Sequence, residues 1–94
     1  MIRCAAERFG GDADRAISIG RCESGLSAFA TNPNGHYGVF QYARGTWDGA
    51  ADTYWRARWG HAHRNIPGIY NARAQAIVTV RYMNAHGTGA WSCA

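Results

Sequence analysis

The sequence contains no lysine, only two glutamates and no long apolar run. Its ten basic residues are all arginines spread along the chain, so the net charge of +4 forms no stripe suited to nucleic acid. No apolar run approaches the roughly 18 residues of a membrane-spanning helix. A chain of 94 residues is long enough for one modest core and too short for two. We therefore expect one domain over residues 1–94, with no nucleic-acid partner and no membrane insertion.

The cysteines and histidines lack the spacing of a structural metal site. Cys4, Cys22 and Cys93 include no C-x-x-C pair, and the pair His61 and His63 has no third ligand at a suitable distance along the chain. We expect neither metal nor cofactor. Three cysteines fit one disulfide and one free thiol. A bridge from Cys22 to Cys93 would close most of the chain and stabilise the fold by roughly 4 kcal/mol.

The remaining pattern predicts a mainly α (α+β) fold. Residues 2–9 form a short helix, and residues 37–42, which are aromatic and β-branched, form a short strand or hairpin arm. Three further helices are expected, each beginning at an N-cap residue and ending at a glycine. Their caps and terminal glycines are Asp12 with Gly25, Thr46 with Gly60 (Asp48 lying in the first turn), and Asn71 with Gly87.

Glu23 is the strongest candidate for a catalytic acid. It lies where the second predicted helix stops at Gly25, so its carboxyl group meets the negative end of the helix dipole. Apolar neighbours add partial desolvation, and both effects favour the protonated form that a general acid needs. Considered by itself, Glu23 could also be an exposed glutamate at a helix end with no functional role.

Residues 37–41 have the composition of a groove wall for an uncharged polysaccharide. Gly38 permits close approach to the backbone, with a sugar ring as one candidate, and Tyr37 can flank such a ring. The Gln41 amide can donate and accept hydrogen bonds. An ordinary core hairpin is the alternative, and it accounts better for Val39 and Phe40.

Four motifs in order resemble the soluble lytic transglycosylase and lysozyme-like superfamily. They are residues 22–25 (Cys-Glu-Ser-Gly), 37–41 (Tyr-Gly-Val-Phe-Gln), 45–47 (Gly-Thr-Trp) and 89–93 (Gly-Ala-Trp-Ser-Cys). The resemblance extends from about residue 12 to residue 93. It is strongest to the small resuscitation-promoting-factor type of domain and to related phage cell-wall lysins. It implies a lysozyme-like fold with a short β-hairpin beside a substrate cleft.

The resemblance also implies an activity and site residues. Glu23 would be the catalytic acid that cleaves the β-1,4 bond between N-acetylmuramic acid and N-acetylglucosamine in peptidoglycan. Ser24 and Gln41 match positions that line the family's cleft, and Tyr37 lies beside them. The resemblance pairs Cys22 with Cys93 and leaves Cys4 free.

Other aromatic residues could also reach the cleft. Tyr70 lies beside a predicted turn, and the glycines around Trp91 allow it to be exposed, although nearby Cys93 favours packing. We include Tyr70 and Trp91 among the candidate substrate-binding residues. The tryptophans at 47, 55 and 59 recur near helical spacing and are expected in the core.

The sequence departs from two-carboxylate lysozymes in one respect. Those enzymes need a second acid across the cleft, and residues 37–42 contain none. Asp48 and Asp52 are the nearest in sequence, but the helix N-terminus and a solvated face explain them better. Glu23 is therefore expected to act alone, first as acid and then as base. Whether the products come from transglycosylation or hydrolysis is open.

Two other functions remain open, and the setting is only partly defined. A non-catalytic glycan-binding module would keep the groove without turnover, whereas a basic nucleic-acid module would bind with steep salt dependence. A disulfide would place the protein outside a reducing cytosol. The residues before Glu7 and Arg8 contain no apolar run, so we expect no signal peptide in this sequence. We expect a monomer or a domain of a larger protein, acting outside the cell, at the cell wall, or in a phage virion or lysis apparatus.

Overall fold

The fold is mainly helical with one small antiparallel sheet, as the sequence predicts. The computed structural model describes residues 1–59 and 67–93, with 56–59 described by their backbone alone. The expected helix end at Gly60, the side chain of Trp59 and the pair His61 and His63 therefore lie outside the description. None of the helices in this described part is long and apolar enough to cross a membrane. In chain order the elements are α1 (Ile2–Phe9), α2 (Ala13–Ser24), β1 (His36–Tyr37), β2 (Tyr42–Ala43), α3 (Arg44–Trp59) and α4 (Ala72–His86).

Helix α4 is the centre of the hydrophobic core. Each of its residues from 74 to 80 is buried, which is the pattern of a helix covered on all sides. One cluster joins α4 to α1 through small side chains such as Ala5 and Ala6. A larger cluster joins α4 to α2, the hairpin, α3 and the C-terminal tail. The members of that larger cluster include Ile19, Phe40, Tyr42, Trp47, Val78 and Trp91.

Local signals in the sequence correctly predict both ends of α2 and of α4, including the end of α4 at Gly87. The Asp12 carboxylate accepts a hydrogen bond from the backbone N–H of Arg15, and the Asn71 side chain accepts one from the N–H of Ala74, so both residues are N-caps as expected. Gly25 has φ 67° in the left-handed region and ends α2. The confirmed cap and glycine of α2 define the position of Glu23.

Two predicted boundaries are wrong. Helix α3 begins at Arg44 rather than after a cap at Thr46, and its first turn carries no acidic residue, so Asp48 is not there. The reason is that β2 leads directly into α3 without an intervening loop. Residues 37–42 are likewise not a single arm. They form the end of β1, a four-residue turn and the start of β2, with Tyr37 paired to Tyr42.

The buried Gln75 side chain on α4 holds the hairpin turn in place. Its Oε1 accepts a hydrogen bond from the N–H of Val39 at 2.9 Å, and its Nε2 donates to the carbonyls of Ala28 at 3.1 Å and Ile69 at 2.7 Å. Gly38 has φ 80°, and a Cβ atom there would lie 2.8 Å from the Gln75 side chain. The group that approaches Gly38 closely is therefore Gln75, not a sugar ring.

Candidate functional site

An open groove of about 430 Å³ lies where the end of α2, the hairpin and the tail meet. Loop residues before the hairpin form part of its wall, and α3 and α4 each contribute one side chain. Seven of the twelve lining residues are polar or charged, and three are tyrosine or tryptophan. It consists of Glu23, Asn32, Asn34, His36, Gln41, Tyr42, Ala43, Thr46, Tyr82, Ala90, Trp91 and Ser92.

Glu23 lies in this groove and is tied to the tail. It is the penultimate residue of α2 and is partly exposed. Its Oε2 accepts a hydrogen bond from the backbone N–H of Cys93, with an N···O distance of 3.4 Å. Cys93 is disulfide-bonded to Cys22, with 6.0 Å between the Cα atoms, which confirms the predicted pairing. Cys4 is free and exposed, as expected.

Glu23 is the only acidic side chain that lines the groove within residues 1–59 and 67–93, and all six aspartates and glutamates of the sequence lie in those ranges. Asp48 and Asp52 are both on α3 and neither lines the groove. No arginine whose side chain the structure describes lines it either. Acid–base chemistry by a carboxyl group in this groove therefore has to come from one residue.

The Gln41 side chain is held in a defined orientation at the groove. Its backbone is left-handed, with φ 55°, which is uncommon for a residue other than glycine. Its Nε2 donates to the carbonyl of Gly38 and its Oε1 accepts from Asn32 Nδ2, both at 3.0 Å. Asn32 Oδ1 in turn accepts from the backbone N–H groups of Asn34 and His36. The amide keeps one N–H and one acceptor position for a ligand.

Trp91 forms part of the groove wall from a largely buried position. Only 8% of its surface is exposed. Its Nε1 donates to the carbonyl of Phe40 at 2.9 Å, and its ring meets those of Phe40, Tyr42 and Tyr82 edge to face. The ring is therefore a fixed surface. With Glu23 and Gln41, Trp91 is one of three predicted site residues that the groove brings together.

The other three predicted site residues lie outside the groove lining. The Ser24 hydroxyl donates to the carbonyl of Val39 at 2.7 Å and so joins α2 to the hairpin turn. Tyr37 and Tyr70 meet edge to face with ring centroids 5.8 Å apart, and the Arg44 guanidinium lies 4.6 Å from the Tyr37 centroid. These side chains support the hairpin rather than line the groove.

Several lining residues were missed by sequence reasoning. Asn32 and Asn34 belong to the Asn-Pro-Asn-Gly segment, whose composition indicates only a turn. His36 immediately precedes the motif considered as a groove wall. Tyr82 lies on α4, whose pattern indicates a core stripe. The turn asparagines carry a usable signal, because they lie close in sequence to Gln41 and their amide groups can donate and accept hydrogen bonds.

Among the side chains that the structure describes, the remaining candidates give no metal site and no exposed tryptophan. Trp47 is 1% exposed and its Nε1 donates to the carbonyl of Pro67, so it belongs to the core as predicted. Trp55 packs against the core from a partly buried position. Over residues 1–59 and 67–93, no three His, Cys, Asp or Glu side chains come together as metal ligands do.

The groove combines one carboxyl group with amide and hydroxyl groups, one imidazole and fixed aromatic surfaces. Such a lining suits a neutral, hydroxyl-rich polymer better than a polyanion, because it contains no arginine among the side chains that the structure describes. A single carboxyl group can give a proton to a leaving group and later take one back. No protein-family model matches the chain, and no curated protein or solved structure matches it either.

Proposed function

We propose that the protein cleaves the β-1,4 bond between N-acetylmuramic acid and N-acetylglucosamine in peptidoglycan, with Glu23 as the catalytic acid and base. The observation that carries the proposal is that, among the described residues, the Glu23 carboxyl group is the only acidic side chain of a groove lined by amide and aromatic side chains. The proposal includes a lysozyme-like fold, in which the helix that ends at the acid faces a hairpin across the cleft.

The proposed chemistry uses one carboxyl group twice. Protonated Glu23 gives its proton to the glycosidic oxygen as the bond to the muramyl anomeric carbon breaks. The N-acetyl group of the substrate stabilises the cationic centre, a role that a second carboxylate has in other glycosidases. The Glu23 carboxylate then takes a proton either from the muramyl 6-hydroxyl, which closes a 1,6-anhydro ring, or from water, which gives a reducing end.

The other groove residues have defined parts in this reaction. The Gln41 amide, oriented by Asn32, offers a donor and an acceptor to polar groups of the glycan. Trp91 offers a rigid apolar surface, since its indole N–H is already bonded to a backbone carbonyl. The N–H of Cys93 restrains the carboxyl group of Glu23. Holding the acid in one place favours proton transfer because little reorganisation is needed at the moment of reaction.

The proposed partner is the glycan strand of the cell wall, and the proposed place of action is outside a reducing cytosol. The Cys22–Cys93 disulfide supports such a place because disulfides persist in oxidising compartments. The route by which the protein arrives there, whether export or delivery in a phage particle or lysis apparatus, is part of the same proposal.

Product analysis tests the reaction directly. Purified peptidoglycan is incubated with the oxidised protein, and the soluble muropeptides are identified by mass spectrometry. We expect disaccharide-containing fragments whose muramyl ends are either 1,6-anhydro, which indicates a transglycosylase, or reducing, which indicates a hydrolase. Binding of the protein to peptidoglycan without release of any fragment contradicts the proposal and supports a non-catalytic binding module.

A further inference from the structure

Three aromatic rings from α3 and α4 contact one another, and one of them lines the groove. Tyr82 lines the groove, where its ring meets that of Trp91 with centroids 5.5 Å apart. On its other side it contacts His86, with ring centroids 4.8 Å apart, and Tyr54, at 5.9 Å. Tyr54 and His86 also meet each other at 6.2 Å. Tyr54, Tyr82 and His86 are called the aromatic triad below.

The spacing of the aromatic triad follows from helix geometry. Tyr82 and His86 are four residues apart on α4, so they share one face of the helix and are separated by about 6 Å along its axis. That separation is comparable with the length of one sugar unit. Tyr54 reaches the same place from α3. His86 is exposed, and the two tyrosines are partly buried.

The phenol and imidazole groups of the aromatic triad have no hydrogen-bond partner among the side chains that the structure describes. A basic residue in the last turn of a helix needs no aromatic neighbours to interact favourably with the helix dipole. The contact of exposed His86 with two tyrosines, one of which lines the groove, instead resembles a ligand-binding surface, with apolar ring faces beside hydroxyl groups.

We propose that the aromatic triad is an additional saccharide subsite that extends the groove past Tyr82. It takes one N-acetylated sugar ring of a longer strand, packed against the imidazole and phenol faces. The identity of the sugar rests on the proposed function, whereas binding at the subsite does not require cleavage. A strand long enough to reach His86 therefore binds more tightly than a short fragment confined to the groove.

The test measures affinity as a function of glycan length in chains that also carry Glu23→Gln, which removes cleavage. The probes are a disaccharide and a hexasaccharide of alternating N-acetylglucosamine and N-acetylmuramic acid, titrated by calorimetry. We expect His86→Ala to weaken binding of the hexasaccharide about two- to tenfold and to leave binding of the disaccharide unchanged. His86→Phe keeps an aromatic ring and should retain the affinity of the parent.

Phe29→Ala is the matched control, because Phe29 is an aromatic residue that is 76% exposed and does not line the groove. Its binding of both probes should equal that of the parent. Equal hexasaccharide affinity in the parent and in His86→Ala overturns the subsite, as does an equal loss in His86→Phe. If the hexasaccharide binds more tightly than the disaccharide but the protein that retains Glu23 cleaves neither, the subsite is supported and the proposed function is contradicted. If neither probe binds, both the subsite and the proposed function are contradicted.

Discussion

The backbone N–H of Cys93 donates a hydrogen bond to Glu23 Oε2 at 3.4 Å, and the same cysteine is covalently bonded to Cys22, the neighbour of Glu23. The C-terminal tail is thus attached at two adjacent points to the last turn of α2. Trp91, two residues before Cys93, is anchored to the carbonyl of Phe40. The carboxyl group and one wall of the groove therefore depend on the same tail.

Removal of the disulfide should destabilise the fold strongly. Because Cys22 and Cys93 are 71 residues apart, the chain-entropy relation gives about 4 kcal/mol of stabilisation. We expect Cys22→Ser with Cys93→Ser to lower the free energy of unfolding in urea by about that amount. Cys4→Ser is the control, since this exposed thiol is unpaired and should not shift the midpoint. Equal midpoints for the double variant and the parent contradict the expected contribution of the bridge.

Replacement of Gln75 by leucine should destabilise the fold without changing the size of the side chain greatly. The substitution leaves the buried N–H of Val39 and the carbonyls of Ala28 and Ile69 without their partner. A buried group left unsatisfied costs about 1–3 kcal/mol, so we expect a loss of about 3 kcal/mol or more by urea unfolding.

Asn84→Leu is the control for Gln75→Leu. Asn84 also donates to two backbone carbonyls, those of Phe9 and Gly10, but it is exposed, so water can replace it. We expect it to lower the free energy of unfolding by about 1 kcal/mol or less. If the two variants lose the same stability, the buried bonds of Gln75 are not what holds the hairpin.

Stability should fall at alkaline pH because of Tyr42. Burial raises the pKa of Tyr42 well above its ordinary value, and its hydroxyl bonds Thr79 Oγ1 at 2.8 Å. Above the ordinary tyrosine pKa near 10, the unfolded chain loses this proton while the folded chain keeps it. The contribution of Tyr42 to the free energy of unfolding is therefore fully present below pH 10. Above pH 10 it declines by about 1.4 kcal/mol per pH unit.

Tyr42→Phe separates this effect from other titrations. The variant should lose about 1 kcal/mol at neutral pH, because Thr79 loses its partner. It should also show a shallower decline between pH 10 and pH 11 than the parent, measured by urea unfolding at each pH. Parallel pH profiles for the two proteins contradict the assignment to Tyr42.

The parts of the fold that the sequence predicts well are those determined by neighbouring residues. Asp12 and Asn71 cap the backbone groups three residues later, and Gly25 adopts a conformation that glycine favours. The start of α3 is predicted wrongly because Thr46 is a good N-cap by type. Its position is decided instead by the pairing of β2 with β1, which starts the helix at Arg44.

The groove could be predicted only in part, for a similar reason. The pairing of Cys22 with Cys93 came from a resemblance of the whole chain rather than from local pattern. Tyr37 and Tyr70 are predicted to reach the cleft, but their rings contact each other and neither lines the groove. Which residues line a groove depends on contacts between distant segments, and neither composition nor periodicity records those contacts.

Asn32→Asp should slow cleavage while leaving the fold intact. Aspartate keeps the oxygen that accepts from the N–H groups of Asn34 and His36, but it cannot donate to Gln41 Oε1. The Gln41 amide then loses its fixed orientation. We expect about fivefold slower release of muropeptides, corresponding to one hydrogen bond, with an unchanged unfolding midpoint. Release at the parental rate contradicts a positioning role for Asn32.

The most direct measurement compares muropeptide release by the parent, Glu23→Gln and Glu7→Gln under the same conditions. Glutamine keeps the shape of glutamate and an oxygen that can accept from the N–H of Cys93, but it has no proton to give. The chain offers Glu7 as its control, because this second glutamate is exposed on α1 and does not line the groove. We predict that Glu23→Gln releases muropeptides at least about 100-fold more slowly than the parent. Glu7→Gln should release them at the parental rate. A Glu23→Gln protein that releases muropeptides as fast as the parent contradicts the account.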